Sequence, residues 1–174
     1  MTVTTPVRPV RTPRFLLRLT ITALVLAAAL TALGPVSNPP PARAGALYME
    51  SLLVKWINNA RANRGIPTLR VGSKLTDFAG YRARTMASTN KLAHPDCLAC
   101  MLRKAGVSFS ACGEVIASNN YPYGYEAARA IYRAWKNSSG HWSILMSRSY
   151  KRFGVGIAYR SSNRTTFGAA VLVG

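Results

Sequence analysis

The chain has two histidines, His94 and His141, and of the acids between them in sequence Glu114 opens an apolar, β-branched stretch. Imidazole and carboxylate are the side chains that exchange protons near neutral pH, and imidazole is also a common zinc ligand. If the three converge on one cleft, His94 and His141 can hold a zinc ion with water filling its other positions. Glu114 can then act as a base on that water, or fix the tautomer of one imidazole through a hydrogen bond. Should the chain be an enzyme, His94, Glu114 and His141 are its catalytic residues. A structural account competes with this one: a carboxylate opening a buried strand accepts backbone N–H groups and pins a loop. Two imidazoles and one carboxylate also furnish a hydrolytic zinc site thinly, since catalytic zinc generally takes three protein ligands.

His141 follows Ser138-Ser139-Gly140, the expected start of a short helix. Ser138 is thereby drawn to the same cleft. The positive helix end disfavours imidazolium, so His141 should tend toward its neutral, metal-competent form. The serines are explained by helix capping, and the sequence contains no Gly-x-Ser-x-Gly elbow, phosphate loop or dinucleotide fingerprint. Trp142, with Tyr121, Tyr123 and Tyr125, is placed to rim the cleft and stack on a sugar or a lipid. Ordinary half-buried packing accounts for these aromatics equally well. Trp56 and Trp135 fall on apolar helix faces and are expected in the core.

The three cysteines are Cys97, Cys100 and Cys112. Outside the cytoplasm one pair should oxidise and leave one thiol. Cys97-x-x-Cys100 has redox spacing, but no thioredoxin-like strand–helix context precedes it. A staple from Cys97 or Cys100 to Cys112 is favoured, tying the region of His94 to the segment of Glu114. A zinc knuckle is disfavoured, because a fourth ligand at suitable spacing is missing.

The elements that must position these residues begin after an N-terminal stretch of different character. Glu50 is the first acid of the chain, and Arg8, Arg11, Arg14 and Arg18 precede an apolar run from Leu19 to Leu33. A Gly/Pro-rich stretch follows and ends in Ala42-Arg43-Ala44. A basic n-region, an apolar h-region and a small-x-small exit make a secretion signal. The run is shorter than the roughly 20 residues of a spanning helix. Cleavage is expected after Ala44, which divides the chain into a signal peptide, 1–44, and one domain, 45–174. That domain carries eighteen Lys and Arg against five acids, a net charge of +13. Such a charge points to anionic partners. The cations are scattered rather than clustered, which disfavours a nucleic-acid groove. Five acids are also too few for an easily built multi-carboxylate nuclease centre.

Within the domain, Leu53, Trp56, Ile57 and Ala60 recur at helical spacing over 47–64, and Gly65 stops that helix. A second helix is expected over 73–90, capped by Ser73, with Leu75, Phe78, Ala79, Ala83, Met86 and Ala87 as its apolar stripe. A short helix over 97–104 should close at Gly106. Residues 113–118 read as a strand, 125–136 as a helix, and 138–146 as a further short helix. Two strands, 153–159 and 165–173, flank a turn at 161–164. Helices come first and an antiparallel hairpin last, the order of an α+β domain.

These pieces resemble the CAP superfamily, also called SCP/TAPS or PR-1-like, in its bacterial secreted branch. The resemblance rests on an ordered set: Ile57-Asn58-x-x-Arg61, Gly65 with Leu69, Leu75, Ala79, Met86-Ala87, and His94 after the second helix. It continues with Gly113-Glu114-x-Ile116-Ala117, Trp135-x-Asn137-Ser138-x-Gly140-His141 and Phe153-Gly154-Val155-Gly156. The resemblance implies an α-β-α sandwich with a small central antiparallel sheet. It also implies a surface cleft lined by two histidines, here His94 and His141, and by glutamates, one of them Glu114. The family's second glutamate falls at Lys136-Asn137-Ser138, where this chain has no acid, and Glu126 lies too far upstream to replace it. The asparagine usual after the strand glutamate is Val115 here, and the basic residue frequent after the second histidine is Trp142.

The expected function is therefore that of a secreted, non-catalytic module. It would bind a ligand at or near the cell envelope through His94, Glu114, Ser138 and His141. Anionic wall polymer or lipid is the expected partner, and no nucleic acid is. The expected state is a monomer without a membrane span after cleavage. The alternative is a zinc-dependent hydrolase using the same cleft.

Overall fold

The computed structural model describes residues 41–174, and the apolar run expected to direct export lies outside them. The last strand, β4 (Thr165–Val173), is buried along its whole length. From Phe167 to Val173 it is an unbroken run of apolar residues and glycine, so both of its faces must be covered. β4 lies between β3 (Arg152–Arg160) and β2 (Cys112–Asn119), antiparallel to both. A two-residue strand, β1 (Arg70–Val71), adds to the far edge of β3 in parallel. The sheet order is β1-β3-β4-β2, which leaves β2 as an edge strand. The expected antiparallel sheet is thus present with one parallel addition, and the sheet is mixed.

Period-2 alternation sorts the strand residues between two helical layers. Val115, Ala117, Phe153, Val155, Ile157, Ala170 and Leu172 face one layer. Its helices are α1 (Pro41–Ala62), α4 (Tyr125–Asn137) and α5 (Ser139–Leu145). They contribute Leu53, Ile57, Ile131, Trp135 and Leu145. The opposite face, with Ile116, Ala169, Val171 and Val173, packs on α2 (Ser73–Thr89) and α3 (Leu98–Lys104). The result is an α-β-α sandwich.

The Phe153-Gly-Val-Gly motif has a packing cause. A Cβ at Gly154 would run into the backbone of Leu75 and Thr76, and one at Gly156 into that of Ala79 and Gly80. Helix α2 therefore lies directly on the backbone of β3, an approach only glycine permits. The start of α2 is likewise fixed by the sheet. Gly72 occupies the cap position, its N–H bonded to the Phe153 carbonyl at 2.9 Å, and no side chain caps the helix. The expectation of a Ser73 cap is corrected: β1 runs straight into α2 and places Ser73 one residue inside it.

Two polar residues of α1 tie distant segments together. The side-chain amide of Asn58 accepts from the Leu69 N–H at 2.8 Å and donates to the Leu69 carbonyl at 3.0 Å. Arg61 is fully buried and donates to the carbonyls of Pro67, Leu145 and Ser147 at 2.7–2.9 Å. Burial holds its guanidinium below its ordinary pKa. The Ile57-Asn58-x-x-Arg61 motif is thus a clamp. It closes the turn after α1 and holds the C-terminal end of α5, the helix that carries His141.

Ala44, where cleavage is expected, lies in the first turn of α1.

Candidate functional site

Glu114 is the second buried residue of β2, and strand alternation turns it toward α2. Its side chain is only 2% exposed. Arg82, on the buried face of α2, donates from Nε to Oε1 at 2.7 Å and from a terminal nitrogen to Oε2 at 3.4 Å. The same guanidinium donates to the Ala93 carbonyl at 2.7 Å and so ties down the segment leading to His94. His94 lies in the chain between α2 and α3, and its Nδ1 is 2.8 Å from Glu114 Oε2. A carboxylate only accepts, so Nδ1 carries the proton. In neutral His94, Nε2 is then a bare acceptor on a ring that is 54% exposed. Glu114 is engaged at both oxygens and links the buried Arg82 to the exposed His94.

Sequence reasoning missed Arg82. The signal was present: Leu75, Phe78, Ala79, Arg82, Ala83 and Met86 share one helical face, and a cation inside an apolar stripe must find a buried partner. Glu114 is that partner.

His141 occupies the first turn of α5. The Ser138 hydroxyl accepts from the His141 backbone N–H at 3.4 Å, so Ser138 is the helix cap. Its place in the site is indirect. The His141 pKa lies below the ordinary 6.5, first because of burial and second because of the charge His94 can carry. The charge of His94 thus bears on His141, although the two imidazoles are carried by segments of opposite helical layers. The expectation of a neutral His141 stands, with burial rather than the helix end as its main cause. His141 Nδ1 is buried and has no hydrogen-bond partner.

The donor set does not suit a catalytic zinc ion. Among the described residues no three His, Cys, Asp or Glu side chains are grouped to hold a metal. Glu114 has both oxygens occupied. Binding metal through His141 Nε2 would place a proton on Nδ1, a buried N–H with no acceptor. Binding through Nδ1 would use an atom that solvent does not reach. What the arrangement offers is hydrogen bonding: a fixed acceptor at His94 Nε2 beside a second, half-buried imidazole.

Other expectations fare differently. Cys97 and Cys100 are bonded to each other at the start of α3, and Cys112 is free. The staple to Cys112 is corrected. Cys112 opens β2 and packs with Leu98 and Met101 against the apolar cluster of Leu75 and Phe78. The two other cysteines, one turn apart, reach each other without moving either element. The aromatics do not gather at the histidines. Trp142 and Tyr125 line a groove against α1, and Tyr123 packs on Tyr159, 5.5 Å between ring centroids. Trp135 is fully buried as expected, whereas Trp56 is half-buried and lines the same groove as Trp142. Glu126 pairs with Arg129 on the surface, 3.5 Å apart. No helix among the described residues is long and apolar enough to cross a membrane.

Several solved structures share this architecture. An extracellular protein containing an SCP domain from Bacillus anthracis superposes with a TM-score of 0.66 at 21% identity, over 79% of this chain and 45% of its own. A cysteine-rich secretory protein from Staphylococcus aureus gives 0.60 at 18% identity, over 79% and 41%. An outer surface protein of Borrelia burgdorferi gives 0.60 at 19%, over 72% and 92%. The chain thus spans less than half the length of the first two. No curated protein matches the sequence. At these identities the likeness speaks for the fold. The family model described as the cysteine-rich secretory protein family, CAP, matches residues 54–173. That span takes in the last nine residues of α1, both helical layers and the whole sheet, and the chain belongs to the CAP family.

Proposed function

We propose that the protein is an exported CAP domain that binds a ligand without transforming it, at or near the cell envelope. Residues 1–44 serve as the export signal and 45–174 as the working domain. The observation that carries this reading is the double engagement of Glu114. A carboxylate paired with Arg82 and bonded to His94 is not available as a base. The single acid of the cleft therefore shapes the cleft and leaves chemistry to no other carboxylate. With Arg82 neutralising Glu114, the histidines add either no charge or positive charge, so the cleft suits a ligand with anionic or hydrogen-bond-donating groups. The high basic charge of the domain draws it toward anionic wall polymer or lipid headgroups. The extracellular and surface settings of the similar bacterial proteins support the same location.

Having two histidines in the chain makes the cleft directly observable. Proton NMR resolves one C2–H resonance for each imidazole. Titration with soluble anionic wall fragments, or with phosphatidylglycerol micelles, should move the His94 resonance and, more weakly, that of His141. Association should weaken as salt rises from 50 to about 500 mM, because the Debye length contracts to a few ångström. If the protein binds such material while both resonances stay fixed, the cleft is not the binding site. Zinc uptake by calorimetry tests the hydrolase alternative. A stoichiometric heat at neutral pH that is lost in His94→Ala would favour that alternative over a purely binding role.

A further inference from the structure

A second concave surface lies between α1 and α4, a groove of about 420 Å³. Its aromatic wall is continuous. Trp56 meets Tyr125 and Tyr132, each at 5.6 Å between centroids, and Tyr132 meets Trp142 edge-on at 6.1 Å. The Arg64 guanidinium sits over the Trp142 ring at 5.1 Å. Arg129, Arg133 and Lys136 also line the groove, from the same helix, α4, as Tyr125 and Tyr132. Arg129 is shared with Glu126, whereas Arg64, Arg133 and Lys136 have no acidic partner among the described residues. Asn59 and Asn63 complete the lining. Among the described residues no acid lines the groove, and neither does any branched aliphatic side chain or methionine.

We propose that this groove binds an acidic polysaccharide, a chain of sugar rings bearing anionic groups. Each class of side chain answers one part of such a ligand. Aromatic faces cover the apolar C–H face of a ring with little loss of rotamer freedom. The Asn amides pair with hydroxyls as donors and acceptors. The cations meet the anionic substituents, and the guanidiniums do so in forked geometry. An acyl chain would want an aliphatic lining, which is missing. A single-stranded nucleic acid would use the rings and the cations but has less need of the amides. The proposal takes only the envelope setting from the functional reading above and requires nothing of His94 or His141.

The test uses the purified full-length chain and polygalacturonate as probe. Dextran serves as the neutral control, and a 20-nucleotide oligo-dT and phosphatidylglycerol vesicles as competing ligands. Polygalacturonate should bind and dextran should not. Tyr125→Ala, at an exposed position, and the double variant Arg64→Ala/Arg133→Ala should each weaken binding tenfold or more with unchanged thermal melting. Arg103→Ala/Lys104→Ala removes the same charge from α3 on the opposite layer and should bind within twofold of the parent. His94→Ala should do the same, which separates this site from the cleft. Equal loss in both double variants, with none in Tyr125→Ala, would reduce the effect to diffuse charge attraction and overturn the proposal. So would no binding of polygalacturonate at all. Tighter binding of oligo-dT or vesicles than of polygalacturonate, lost in Tyr125→Ala, would give the groove to that other ligand.

Discussion

Replacing Arg82 by alanine should be among the most damaging single changes outside the apolar core. The variant leaves Glu114, 2% exposed, as a buried carboxylate without its guanidinium. Breaking one side of a buried ion pair costs roughly 3–5 kcal/mol. The Ala93 carbonyl also loses its donor, a further cost of about 1 kcal/mol. Against this, His94 remains 2.8 Å from Oε2 and can take a proton to compensate the stranded charge. The balance is a loss of about 3 kcal/mol. For a domain of this size that is a fall in Tm of roughly 10–15 °C. Urea unfolding followed by circular dichroism measures it directly, and a double-mutant cycle identifies the cause. Arg82→Ala/Glu114→Ala removes both charges and should be destabilised by less than the sum of the two singles, with a coupling of about 2 kcal/mol. A loss below about 1 kcal/mol in Arg82→Ala, or a coupling within about 0.5 kcal/mol of zero, would refute the view of Glu114 as a buried keystone.

Further outcomes follow from the same structure. His141 should titrate below 6.5 in the folded protein. The unfolded chain then binds the proton more readily, so stability should fall as pH drops from 6.5 to the folded pKa and level off below it. A C2–H titration midpoint at or above 6.5 would contradict the burial of that ring. In neutral His94 the nitrogen-15 shifts should show the Nδ1–H tautomer, and Glu114→Ala should release it toward the mixture of a free imidazole. Gly154→Ala drives a methyl into the backbone of α2, which no rotamer can relieve, and should cost at least 2–3 kcal/mol. Gly140→Ala, in α5 with open space around it, should be neutral or stabilising by up to about 1 kcal/mol. Peptide mapping of the oxidised chain should link Cys97 to Cys100 and find a single free thiol, at Cys112; a Cys112 disulfide would overturn the assignment.

The periodic signals of the sequence marked out the sandwich well, because they reflect burial and little else. The stripe from Leu75 to Ala87 and the alternation in β3 and β4 each state a local rule. What the sequence hid were relations between distant segments. The start of α2 is set by a neighbour, since α2 begins where β1 delivers it, and α1 includes residues from Pro41 on, ahead of the expected 47. The disulfide went the other way because a Cys112 staple has to compete with two cysteines already one turn apart. Trp142 follows His141 directly, yet it packs against Tyr132 and Arg64 in another groove. Adjacent residues on a helix point about 100° apart, so nearness in sequence was no guide to a shared cleft.

The site itself was half legible, and the missing half changes its meaning. Residue types alone nominate His94, Glu114 and His141, and they leave open whether the acid is a base, a ligand or a pin. That question turns on what else touches the carboxylate. One guanidinium, that of Arg82, reaches both oxygens of Glu114 and the Ala93 carbonyl, which favours the pin. An arginine in an apolar helical stripe is therefore more telling here than the absent second glutamate. It converts the remaining acid from a reactive group into part of the scaffold. A buried carboxylate neutralised by an arginine, in a strongly basic protein, is electrostatically suited to sit near an anion and poorly suited to activate water. The same physics predicts that Arg82→Met, which keeps the bulk but frees Glu114, should make the cleft a better cation site. Raised calorimetric affinity for zinc in that variant would support the account, and unchanged affinity would count against it.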